Sequence, residues 1–311
     1  MNHAVFARRQ IVSIGKTVGR GTAISALSGG VDSAVTTVLA HRALGKRLKV
    51  MFIDDGLMRE NEPEEVRQAF AKLGIQVRII RAAGKFFRAL KGITDPEKKR
   101  KAFRHTFYKV FKQAVRESGA RFLVQGTIAA DIVETQKGVK TQHNVLDQIG
   151  IRAKDRYGYA TIEPLKTLYK PDVRKVGRAV GLPKAMYQRM PFPGPGLACR
   201  CLGEVNPKRI AVVRRACRIV EEETARVKKF QAFGVLLADR ATGVTKDGRR
   251  RFGDIVAVRC VDSEKAIHAT ATALPWKMLM RIQARITREI ASVTKVVYDL
   301  TPKPPSTIEY I

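Results

Sequence analysis

The sequence predicts an α/β protein: a doubly wound, five-stranded parallel sheet followed by a smaller C-terminal α+β module. Three observations support this class. Over the first two thirds of the chain, short apolar runs rich in β-branched residues alternate with helical stretches, the pattern of a parallel sheet covered on both faces. Polar clusters follow three of those runs, at the strand ends where such a sheet binds its ligand. A stretch dense in proline and glycine, Pro191-Phe192-Pro193-Gly194-Pro195-Gly196, then interrupts the alternation.

In chain order, apolar runs bounded by turn residues place strands at 22–27, 48–53, 76–81, 121–125 and 160–164. Helical periodicity covers 31–44, 62–73, 95–118 and 171–180. Asp95-Pro96 is an N-cap followed by proline at the first helical position, and the charged run that follows is a solvated face. The rigid connector sets the domain boundary, with domains expected at 1–192 and 193–311. Beyond it we expect a helix at 207–227, strands around 234–238 and 255–260, a helix at 276–290 and a last strand at 295–299. The chain ends in a stiff segment, Lys303-Pro304-Pro305-Ser306-Thr307-Ile308-Glu309, whose place at a terminus implies that it is docked.

The 311 residues suffice for two cores, and 45% hydrophobic content without an apolar run of membrane length indicates a soluble protein. The first nine residues hold no apolar leader core, which makes the cytoplasm the expected location. Cys199, Cys201, Cys217 and Cys260 show no Cys-x-x-Cys spacing and no nearby histidine cluster, so they are expected to be free thiols. With 59 Lys plus Arg against 28 Asp plus Glu, the formal charge is +31, which favours anionic partners. The basic residues are dispersed, and the denser runs at 98–104 and 246–251 lack interleaved aromatics. A basic surface that serves anionic nucleotides accounts for them better than nucleic acid does.

The most informative stretch is Ser28-Gly29-Gly30-Val31-Asp32-Ser33, between the first strand and the helix that follows. Two glycines allow a sharp turn with N–H groups close to an anion, and the helix aims the positive end of its dipole at the same spot. The serines add hydroxyls, and Asp32 is a carboxylate placed to hold magnesium against phosphates. This is not a Walker A loop, because Gly15-Lys16-Thr17 lacks the required glycine at position 10, which is Gln10. No Gly-x-Gly-x-x-Gly follows a strand, which excludes the dinucleotide fingerprint.

The cradle resembles the PP-loop of the ATP pyrophosphatases, which hold the β and γ phosphates of ATP while an acceptor oxygen attacks the α phosphate. Further stretches are similar to the GMP synthase ATP pyrophosphatase. They are Phe52 to Arg59, Gln125-Gly126-Thr127-Ile128 through Asp131 and Glu134, Lys140 to Val145, Pro191 to Arg200 and the tail from Lys303 to Glu309. The resemblance runs from about residue 10 to the C-terminus. It implies ATP-dependent amination of XMP to GMP through adenyl-XMP, with AMP and pyrophosphate released. By position, Ser28, Gly29, Gly30, Val31, Asp32 and Ser33 would bind the ATP phosphates, with Asp32 on Mg²⁺. Ile53, Asp54 and Gly56 would receive adenine and ribose, and Gln125, Gly126 and Thr127 would line the same cleft. Asp131 is a second candidate for handling metal or ammonia, and Lys140 and His143 fall on the family's mobile lid. Arg200, Lys303, Ile308 and Glu309 match the part that grips XMP.

The chain departs from the family's usual pattern at Gln142, Leu146, Asp147 and Lys246. It contains no cysteine on a strand-to-helix elbow, so ammonia is expected from a separate glutaminase subunit, and the second domain is expected to pair two copies. The alternative readings are a PP-loop enzyme that adenylates a tRNA base and a non-catalytic nucleotide-binding protein.

Overall fold

Helix α1 (His3–Val18) precedes β1 (Ala23–Leu27), α2 (Val31–Leu44), β2 (Leu48–Asp54), α3 (Glu62–Ala71), β3 (Val77–Arg81), α4 (Ala83–Leu90) and α5 (Pro96–Ser118). There follow β4 (Phe122–Val124), α6 (Ala129–Gln136), β5 (Ala160–Ile162), α7 (Lys170–Ala179) and α8 (Lys184–Tyr187). The computed structural model describes residues 1–136, 159–245, 247–264 and 266–311.

The expected five-stranded parallel sheet is present, in the order β3-β2-β1-β4-β5. The chain builds outward from β1 through β2 to β3, then crosses to add β4 and β5 on the other side. The strand order therefore reverses between β1 and β4, where open α/β sheets leave a crevice at their carboxyl ends. Strand β1 is nearly all buried, as a central parallel strand must be, and α2 buries residues around most of its circumference. A buried 2.7 Å hydrogen bond between Ser25 Oγ and Thr37 Oγ1 fixes α2 to β1 behind the turn that joins them.

Four helices, α1, α4, α6 and α8, lie outside the expected elements. The buried stripe of α1 is only Ala7, Ile14 and Val18 in a basic sequence, and Asn2 caps its start by accepting from two backbone N–H groups. Helices α4, α6 and α8 are each eight residues or fewer, too short for periodicity to separate them from loops or strands.

The residues group into two compact units. The first contains residues 1–54, 62–82 and 107–189, and holds the parallel sheet. The second contains 55–61, 83–106 and 190–311, so the units do not follow a single cut of the chain at the connector. In the second unit, α9 (Pro207–Glu223) is capped by Asn206 and started by Pro207, and packs Ile210, Val213, Ala216, Cys217 and Val220 inward. Strands β6 (Gln231–Val244) and β7 (Arg250–Asp262) form a long antiparallel hairpin, irregular between Leu236 and Arg240. Strand β7 also pairs with β8 (Thr270–Ala271) and, in parallel, with β9 (Val293–Tyr298), which follows α10 (Trp276–Glu289). The hairpin is longer than expected because its outer half is exposed and polar, which hides it from an apolar-run reading. Among the described residues, no helix is long and apolar enough to cross a membrane.

Candidate active site

The first unit places its polar turn at the β1/β4 switch point. Gly29 adopts a positive φ of 75°, and any Cβ there would strike the Glu62 carboxylate. Gly30 begins α2 without a side-chain cap, so the first-turn N–H groups are free of the acceptor that a Ser or Asp cap would supply. The Ser33 hydroxyl donates to the Gly30 carbonyl at 3.0 Å and accepts the Ser28 N–H at 3.2 Å, and the two serine hydroxyls lie 3.0 Å apart. The turn is thus held in place at the positive end of α2, a position that suits an anion, and Val31 is buried.

Asp32 is half engaged. Its Oδ2 lies 2.5 Å from the Lys170 ammonium, while Oδ1 is buried with no hydrogen-bond partner among the described residues. A hard divalent cation prefers oxygen ligands, so a carboxylate in this turn whose buried oxygen is uncommitted among the described residues fits Mg²⁺. Lys170, at the start of α7, is a charge at this site that sequence reading missed. A second missed pair braces the turn: buried Glu62 meets Arg189 at 2.7 Å, and Arg189 also reaches the Gly29 carbonyl at 3.4 Å.

Just past β4, Gly126 packs directly on the start of α2. A Cβ there would stand 2.8 Å from the Asp32 carbonyl carbon and the Ser33 nitrogen, so only glycine allows this approach. Gln125 donates its N–H to the Ile162 carbonyl, and buried Thr127 donates its hydroxyl to Glu163 at 2.6 Å; both of these bonds secure the strand ends. Asp131 Oδ2 accepts the Ile128 N–H at 3.0 Å in the first turn of α6, a capping bond. Ile53 is buried in β2, and the Asp54 carbonyl accepts the Ala82 N–H. Gly56 belongs to the second unit, where its carbonyl accepts from Arg214 at 2.5 Å. Lys140 and His143, expected on a lid, lie outside the described residues, as do Gln142, Leu146, Asp147 and Lys246.

The second unit brings Arg200 and Glu309 together. Arg200 is buried, with Nε 3.0 Å from Oε2 and Nη2 2.8 Å from Oε1 of Glu309, and Nη1 3.6 Å from the Cys217 sulfur. Its guanidinium lies 4.0 Å from the Phe233 ring centre and 5.1 Å from that of Phe192, whose ring also packs 4.2 Å from Arg59. Burial opposes its charge, but Glu309 more than compensates and holds the guanidinium above its ordinary value. Each Arg200 nitrogen has a protein partner, and two of these contacts hold the Glu309 carboxylate. Gln231, which sequence reading missed, donates to Glu309 Oε1 at 2.7 Å. The tail is docked: Ile308 is buried, and Lys303 exchanges backbone hydrogen bonds with Ala269 and donates its ammonium to the Ala266 carbonyl at 2.7 Å. The four cysteines are free and buried, and burial pushes the Cys199 thiol up to about 12.

Two family models match the chain, NAD synthase over residues 9–194 and GMP synthase C terminal domain over residues 218–310. A subunit of GMP synthase (glutamine-hydrolyzing) from Archaeoglobus fulgidus is 50% identical over 306 residues, 98% of either chain. Relatives of the same description from Thermococcus kodakarensis and Methanopyrus kandleri are 48% and 45% identical, also over 98% of either chain. Among solved structures, an NH3-dependent NAD synthetase from Campylobacter jejuni covers 73% of this chain and 88% of its own at 15% identity and a TM-score of 0.47, too loose a likeness to add to these matches.

Proposed function

This chain belongs to the family of GMP synthase (glutamine-hydrolyzing) subunits, and we propose that it is a carbon–nitrogen ligase that aminates XMP to GMP with ATP, through adenyl-XMP. The observation that carries the reading is the turn at the β1/β4 switch point, packed against Gly126. Its N–H groups and the α2 dipole take the β and γ phosphates of ATP, and the Lys170 ammonium stands beside them on Asp32. Asp32 is the residue that would hold Mg²⁺, which when bound neutralises charge on the pyrophosphate leaving group.

In the first step the XMP O2 oxygen attacks the α phosphorus, forming the O–P bond as the bond to pyrophosphate breaks. Ammonia then attacks C2, and AMP leaves with the former O2. No covalent enzyme nucleophile is needed, so the protein's work is positioning and charge stabilisation. In the second unit, Lys303 suits the XMP phosphate and Glu309 a ring N–H. Among the described residues, Oε1 of Glu309 accepts from Arg200 and Gln231 and Oε2 accepts from Arg200, which leaves one acceptor position on Oε2 for the purine. A separate glutaminase supplies the ammonia, and the reaction runs in the cytoplasm. Exposed Phe252, Trp276 and Val297 on the second unit support pairing of two copies through it.

The test combines the purified chain with ATP, Mg²⁺, XMP and an ammonium salt. Equal yields of GMP, AMP and pyrophosphate are expected. Absence of GMP and AMP, or salt-sensitive tRNA binding with indifference to XMP, rejects the reading.

A further inference from the structure

Arg259 is wholly buried at the centre of the second sheet, on β7 opposite Phe233 of β6. A buried cation persists only when it is paired and hydrogen-bonded, and each of the three Arg259 guanidinium nitrogens has a defined partner. Nη1 meets Asp299 Oδ2 at 2.6 Å, Nε donates to the Ile308 carbonyl at 2.9 Å, and Nη2 donates to the Thr307 carbonyl at 2.8 Å. Asp299 is fixed in turn by the Tyr310 hydroxyl at 2.7 Å on the same oxygen and by the Thr301 N–H on the other. The rigid fork of this guanidinium therefore grips the backbone of two successive tail residues and, through Asp299, meets the side-chain hydroxyl of a third, Tyr310.

The tail needs such a grip because of its composition. Pro302, Pro304 and Pro305 have no N–H to give, so the segment cannot join the sheet as an ordinary strand. Past the Lys303 bridge to Ala269, its backbone makes no ladder bond to the sheet among the described residues. The Ile308 and Thr307 carbonyls are satisfied instead by a side chain from the core.

We propose that Arg259 is a positioning residue that sets the spacing between Lys303 and Glu309, so that the lysine and the carboxylate meet the two ends of one XMP molecule. This rests on the reading that the tail binds XMP. Arg200 orients the Glu309 carboxylate, the Ala269 bridge fixes Lys303, and Arg259 holds the backbone that runs from one to the other. Loss of the fork would leave both substrate groups present but separated by a slack chain.

The test uses full-length Arg259→Lys and Arg259→Gln, with folding checked by circular dichroism and thermal melting. We expect Arg259→Lys to bind XMP about tenfold more weakly or worse, the scale of the charge-assisted hydrogen bonds removed. The affinity for ATP should be unchanged, and kcat at saturating XMP largely kept, so that the loss falls on KM for XMP. Amide exchange across residues 306–311 should accelerate in the same variant, a readout independent of XMP. Equal loss of XMP and ATP affinity, or unchanged XMP affinity and tail exchange, overturns the proposal. If both Arg259 variants fail to fold, Asp299→Asn decides. It weakens the hold on Arg259 and should shift XMP affinity and tail exchange in the same directions, and no shift in either overturns the proposal. Wild-type protein that binds no XMP sinks the functional reading, whereas wild type and Arg259→Lys binding XMP equally well sinks only this inference.

Discussion

The turn at residues 28–33 and the tail at 303–309 each serve, on the proposed reading, to hold a nucleotide, yet they are built from different materials. The turn is mostly backbone, with its N–H groups, one helix dipole and two hydroxyls supplied within six consecutive residues. The tail is held by side chains that converge from remote positions, Arg200, Gln231, Arg259 and Asp299. Backbone-built anion sites are specified locally and tolerate little change at their glycines. A clasp of buried charges is specified by the whole fold, and changing one member should loosen one ligand while leaving the other alone.

The largest expected effect is on the turn. Asp32→Asn keeps the shape but removes the charge, and should lower GMP formation about a hundred- to a thousandfold, the scale of losing a preorganised electrostatic group, with the melting temperature little changed. Activity near wild type would place the metal and phosphate charge elsewhere.

Gly126→Ala comes next. Its new methyl meets the backbone of Asp32 and Ser33, which cannot swing aside as a side chain can. A displacement of the turn by a fraction of an ångström or more should cost about a hundredfold in kcat/KM for ATP. A variant with normal ATP kinetics would show that the β4 end does not set the turn.

In the tail, Lys303→Ala should weaken XMP about tenfold to a hundredfold, the range for a lost hydrogen bond to a charged group, and leave ATP affinity alone. Parallel losses for both nucleotides would make the tail merely structural and erase the contrast between the two regions.

The smallest effect is with pH. Burial works against the Asp299 carboxylate, but hydrogen bonds from Thr301 and Tyr310 and the charge of Arg259 outweigh it and hold its carboxyl below the ordinary value. A depressed carboxyl contributes stability that is present above its unfolded value of about 4 and is lost as pH falls through the lower folded value. Tail amide protection, corrected for intrinsic exchange, should therefore stay level through neutral pH down to about pH 4 and decline only below it. A decline beginning near neutrality would show that Asp299 is not the anchor.

How much the sequence disclosed follows the same division. The Gly-Gly turn, α2 and the run of five strands are local patterns, and each lies where periodicity and turn chemistry place it. Lys170 stands 138 residues from Asp32, and Arg189 stands 127 from Glu62, so nothing near either carboxylate announces its partner. Lys303, Ile308 and Glu309 were accessible only through resemblance, since a proline-rich end carries no periodicity. Arg259 lies in an apolar strand of a chain with 59 basic residues, where a single arginine gives no signal until the fold shows it fully buried.

The most direct test of the central claim is to follow the xanthine O2 oxygen. XMP labelled there with heavy oxygen is converted by the full chain with ATP, Mg²⁺ and ammonium, and the products are weighed by mass spectrometry. Attack of O2 on the α phosphorus, with the terminal phosphates held at the turn, requires one label atom in the phosphate of AMP for every GMP formed. Label in inorganic phosphate, with ADP as the nucleotide product, would contradict the account.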